Sequence, residues 1–212
     1  MRSVHNSLEL LWTNASIGTL LLVPYEFVAS PHDRGHIWIL TANILVFVIY
    51  FFSFFEGNLG YLRTVYLEVS EQARLGSLRI LFDLILLMLH LVAFAGMALC
   101  LADARSFDTW LIFLLVSDMW WWVYEARTRP VRARRVWCVL LTSNSCPDIR
   151  VPVEVDFPAR TWVMNNLVTA SLLIFFLRVA GPESSVILTV ATVLAGVLNR
   201  VIDFKKTRFW MF

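Results

Sequence analysis

The sequence predicts an all-α membrane protein of about six transmembrane helices, with a cytoplasmic amphipathic helix and a small β-hairpin insertion. Three observations predict it. Of 212 residues, 58% are hydrophobic and 16% charged, where an ordinary soluble domain is about a quarter charged. The apolar residues come in blocks close to the ~20 residues a helix needs to cross hydrocarbon. The basic residues lie between those blocks, very unequally on alternate sides.

Six spans follow along the chain, at about 8–29, 37–55, 80–101, 110–124, 162–179 and 185–202. Glu9, Asn14, Pro24 and Glu26 weaken the first, which reads as a retained helix rather than a cleaved signal peptide, since Glu9 and Asn14 interrupt its apolar run. The third is the most apolar, with Asp83 and His90 as its polar members. The fourth is short enough to tilt or thin the bilayer locally. Helices rather than a barrel are expected. A bilayer offers no water to unpaired backbone groups, and these runs lack the two-residue alternation of barrel strands.

Orientation is read from Lys and Arg. With six crossings, 15 of the 18 basic residues fall on one side and Arg34, Arg105 and Arg178 on the other. Cytoplasmic loops carry the excess, so both termini and the large 125–161 loop are expected in the cytoplasm. Trp38 and Trp110 begin spans at the outer boundary, while Trp12, Trp120, Trp121, Trp122 and Trp162 lie near the inner one, as indole prefers the half-wet interface. Residues 61–77 place Leu62, Val65, Tyr66, Val69 and Ala73 on one helical face, which predicts an amphipathic helix. In the 125–161 loop, Arg129, Arg132, Arg134 and Arg135 form a basic tract suited to anionic lipid, joined by Lys205 and Lys206 of the tail. Alternation from Ile149 to Phe157 after Val136–Thr142 predicts a hairpin over 136–157, a docking element for a neighbouring subunit or a soluble cytoplasmic protein. Cys100, Cys138 and Cys146 make an odd count without C-x-x-C spacing, so no structural disulfide or zinc site is expected.

Ionisable groups in hydrocarbon are costly, roughly 2.5–3.5 kcal/mol on insertion scales, and so mark candidate sites. His90 lies seven residues after Asp83, on about the same helical face, and is a possible proton or metal site. A larger group lies toward the inner side: Arg79, Asp83, Asp118, Asn165, Asn166, Asn199, Arg200 and Asp203. Arg79–Asp83 and Arg200–Asp203 have pairing distance on their own helices. Asp118 has no base within a turn and must look to another helix. Asp83 and Asp118 are expected to face the bundle interior in one layer with the three asparagines. Gly96-x-x-x-Cys100, Ala191-x-x-x-Ala195 and Thr192-x-x-x-Gly196 have the spacing of close helix contacts, within the bundle or between subunits.

No H-E-x-x-H, G-x-S-x-G, phosphate-binding loop or dinucleotide fingerprint occurs. No catalytic residue, cofactor, metal or nucleic-acid partner is assigned. The leading expectation is a non-enzymatic assembly, a homo-oligomer that conducts ions or perturbs the membrane in response to a cytoplasmic partner. The alternatives are an anchoring subunit of a larger membrane complex, and an intramembrane enzyme using Asp83, His90 and Asp118.

Overall fold

The computed structural model describes residues 2–29, 34–63, 66, 77–128, 159–181 and 184–207. Those residues form six α-helices: α1 (Arg2–Ala29), α2 (Arg34–Arg63), α3 (Ser77–Leu99), α4 (Ala104–Thr128), α5 (Ala159–Val179) and α6 (Ser185–Thr207). The chain is an all-α, polytopic integral membrane protein.

Two parts of the expected fold are corrected. Four described helices, not six, are long and apolar enough to cross a membrane, namely α2, α3, α5 and α6. Composition explains the difference. Glu9, Asn14 and Glu26 break up the apolar run of α1, while α4 carries Arg105, Asp108, Asp118, Glu125 and Arg127 with four tryptophans. Both helices pack along their neighbours: Trp12 of α1 donates its indole N–H to the Phe55 carbonyl of α2 at 3.3 Å. The second correction concerns β structure, since no strand exists among the described residues. The 136–157 segment itself lies outside the described residues, as do Cys138 and Cys146. Of the amphipathic helix expected over 61–77, Tyr61–Arg63 form the end of α2. Residues 64, 65 and 67–76 lie outside the description.

Side-chain pairs fix the helix directions. Asn43, Phe47, Phe54 and Tyr61 of α2 meet Leu101, Phe94, His90 and Asp83 in that order, so α3 runs antiparallel to α2. A tight turn at 100–103 reverses the chain again. Phe107 N–H bonds the Asp103 carbonyl at 2.9 Å, and the Asp103 carboxylate accepts the Arg105 N–H at 3.1 Å, capping α4. Leu188, Gly196 and Arg200 of α6 meet Ile39, Tyr50 and Phe54 of α2, so these two run parallel. Hence α2, α4 and α6 point one way, and α3 and α5 the other.

The core is apolar and aromatic, built on Phe47, Phe51, Phe54, Phe94, Met97, Phe107, Leu111, Leu114 and Leu173. The outside is apolar too. On α3, Leu81, Ile85, Met88 and Val92 stand exposed at spacings of three and four, forming a face for lipid, while His90 and Phe94 point inward. Trp38 and Trp120 are exposed, whereas Trp12 and Trp121 are packed inside. The small-residue spacings turn inward. The Trp110 ring lies directly on Gly96, and Gly196 faces Tyr50 and Val46.

Candidate functional site

Asn199 is the centre of a buried network joining α2, α4, α5 and α6. It stands on the face of α6 that meets α5, and its amide uses both ends. The Nδ2 group donates to Asn166 Oδ1 at 3.1 Å and to Thr169 Oγ1 at 3.0 Å. Its Oδ1 accepts from the Tyr50 hydroxyl at 3.0 Å and from Arg200 Nε at 3.0 Å. Asn166 then donates to Asp118 Oδ2 at 2.7 Å, which ties Asp118 to a neighbouring helix. Asn165 donates to Asp203 Oδ1 at 2.6 Å and to the Asn199 carbonyl at 2.8 Å.

Arg200 has little room. Its guanidinium lies over the Tyr50 ring at 4.3 Å and 5.4 Å from the Phe54 ring centre, with Asp203 Oδ2 at 3.5 Å from one terminal nitrogen. The face of an aromatic ring attracts a cation and does so more strongly when desolvated. Asp118, Arg200 and Asp203 are exposed by only 3%, 4% and 3%. Two carboxylates and one guanidinium thus share a dry interior and are held by amides and a phenol. Such an arrangement is expensive to break, because each lost partner leaves a buried polar group unmet.

Asp83 is not in this network. Its carboxylate accepts the Tyr61 hydroxyl at 2.9 Å and the Tyr66 hydroxyl at 2.7 Å, with Arg79 Nε 4.0 Å away. His90 stands between the two groups, fully buried. Its Nδ1 lies 3.4 Å from Asn58 Nδ2, and its ring is edge-on to Phe54 at 5.0 Å and near Trp121 at 5.5 Å. Phe54 therefore separates two polar compartments: His90 and Asn58 on one side, Arg200 and Asn199 on the other.

Comparison with family models, curated proteins and solved structures finds no match. The site must be judged on its own chemistry. Among the described residues, no group of three or more His, Cys, Asp or Glu side chains could hold a metal ion. The single layer expected from depth alone is divided, with Asp118, Asn165, Asn166, Asn199, Arg200 and Asp203 together and Asp83 with Arg79 apart. Arg129, Arg132, Arg134 and Arg135 lie outside the described residues, as do the side chains of Lys205 and Lys206.

Reading the sequence by charge missed the phenols and hydroxyls. Tyr61 and Tyr66 donate to Asp83, while Tyr50 and Thr169 bond the Asn199 amide. A signal for one of them was present: Tyr50 lies seven residues after Asn43, as Asn199 lies seven after Thr192.

Proposed function

We propose that this membrane protein is non-enzymatic and works as a homo-oligomeric assembly that conducts ions or perturbs the bilayer in response to a cytoplasmic partner. The observation that carries this reading is the buried set Asp118, Arg200 and Asp203, tied to three asparagines in the interior of the bundle. Ionisable groups at such positions mark ion and proton pathways. The enzyme alternative loses support, because Asp83, His90 and Asp118 each have different partners.

The cytoplasmic placement of both termini belongs to the same proposal. Arg63, Arg79, Arg127, Arg160, Arg200, Lys205 and Lys206 lie at one end of the bundle, and Arg34, Arg105 and Arg178 at the other. The basic end is the cytoplasmic one under the positive-inside rule.

A second reading has its own support. Both ends of the Asn199 amide are fully used, which is what a polar lock between helices needs. Such a lock suits an anchoring subunit of a larger complex. Asp118→Asn and Asp118→Leu, reconstituted in liposomes, separate the two. A conducting protein passes ions as wild type, folds as Asp118→Asn and then loses flux. A lock shows no flux in any form, tolerates Asn and loses thermal stability with Leu. Absence of wild-type flux in oriented, partner-loaded liposomes would overturn the conduction reading.

A further inference from the structure

A second polar layer lies nearer the opposite end of the bundle, where charge was not expected to be buried. Ile39, Ala104 and Leu188 pack together near the N-terminal ends of the three parallel helices α2, α4 and α6. One turn further along each helix stands a polar side chain, at Asn43, Asp108 and Thr192. Parallel helices in register carry these three to one level. All three are exposed by 0%.

Their hydrogen bonds leave a deficit. The Thr192 hydroxyl donates to Asp108 Oδ1 at 2.7 Å and lies 2.8 Å from the Leu188 carbonyl of its own helix. Asn43 Nδ2 donates to the Leu101 carbonyl at 2.8 Å. Asn43 Oδ1 and Asp108 Oδ2 are both buried and, among the described residues, have no donor. An unmet buried acceptor is costly, and an ionised carboxylate with a single hydroxyl partner more so. Among the described residues, no cation is paired with it. From 36 to 50 on α2 and from 185 to 199 on α6 the only titratable residues are His36 and Tyr50, and His36 lies two turns from Asn43 toward the helix start. Nearby on the turn and α4, Asp103 adds a second negative charge, and Arg105 donates to the Ala180 carbonyl. Arg178 of α5 is exposed.

What is missing is one positive charge able to meet oxygen on more than one side. We infer that Asn43, Asp108 and Thr192 form a binding site for one monovalent cation, supplied as a proton on Asp108 or as a sodium ion. A proton on Oδ2 turns that acceptor into a donor at the level of Asn43 Oδ1, so that one proton can meet both deficits. A sodium ion takes the same carboxylate, amide and hydroxyl oxygens as hard ligands. The site stands apart from the conduction reading, since a cation can reside here without crossing the membrane.

The test uses the purified full chain in detergent, as wild type, Asp108→Asn and Asn43→Ala. Asp108→Asn is expected to fold, because its amide can donate to Asn43 Oδ1 as the protonated acid would. Infrared difference spectra in sodium-free choline buffer read the carboxylic-acid C=O stretch, and melting curves in sodium or choline chloride read the ion. A proton site gives a wild-type band absent from Asp108→Asn and shifted toward the free-acid position in Asn43→Ala, with equal melting in the two salts. A sodium site gives a rise in Tm with sodium over choline, lost in Asp108→Asn, and no such band. If wild type and Asp108→Asn share their carboxylic-acid spectrum and melt alike in both salts, the site does not exist. These readouts involve no flux, so they stand or fall separately from conduction.

Discussion

Gly96 shows how tightly one residue can be constrained inside this bundle. A Cβ built there would collide with the Trp110 indole. The indole is large and packed between α3 and α4, so it cannot give way cheaply. Gly96→Ala is expected to lower stability by about 1–3 kcal/mol, the usual cost of overpacking a dense core. Thermal or denaturant unfolding in detergent reads this, and a smaller side chain at position 110 should restore most of the loss. Wild-type stability in Gly96→Ala would show that Trp110 has free space beyond it. The sequence spacing marked Gly96 as a close approach; which indole fills it depends on the rotation of α4, which spacing does not encode. Asp108 shows the converse. It stands two residues before the expected start of the fourth span, where the sequence alone does not single it out. Ordinary helical continuation from the Asp103 cap carries it inside.

At the scale of the element, α6 holds the bundle through one polar face. Asn199 reaches Tyr50 of α2 and Asn166 and Thr169 of α5, while Arg200 and Asp203 continue the same face. Interhelical hydrogen bonds in membrane proteins average about 0.6 kcal/mol each. Asn199→Leu removes three of them and leaves the Tyr50 hydroxyl without its acceptor. A loss of about 2 kcal/mol is expected, with a further increment from the unmet phenol. The same change at Leu198, which is exposed toward lipid, should be nearly silent when made as Leu198→Val. Equal melting of Asn199→Leu and wild type would remove the hub role. Residue type and depth made Asn165, Asn166, Asn199 and Asp118 legible in the sequence as one group. Asp83 has a similar depth by sequence, but the hydroxyls of Tyr61 and Tyr66 hold it apart from that group.

For the whole molecule, the number of apolar helices was overcounted and the burial of charge undercounted, for a common reason. Hydropathy averages along a helix, while burial is decided around it. α4 is less apolar on average because of Asp108 and Asp118, both of which it buries. The proposed sidedness is open to direct measurement: in a background lacking Cys100, Cys138 and Cys146, a cysteine at position 105 should be labelled from outside the cell and one at position 127 only from the cytoplasm. Outside labelling at 127 would reverse the frame. Beyond orientation, the two polar layers have an electrical consequence. Asn43 and Tyr50, like Thr192 and Asn199, lie seven residues apart, which sets the layers about 10 Å from each other. Between them stand Phe47, Leu111, Leu114 and Leu115, which cannot reorient a dipole in an applied field. Polar layers polarise and so take less of a voltage drop than hydrocarbon does. Across a bilayer about 30 Å thick, the drop therefore steepens over that short apolar segment. A charge displaced between Asp108 and Asp118 would feel a disproportionate part of the roughly 2.3 kcal/mol that 100 mV exerts on one elementary charge.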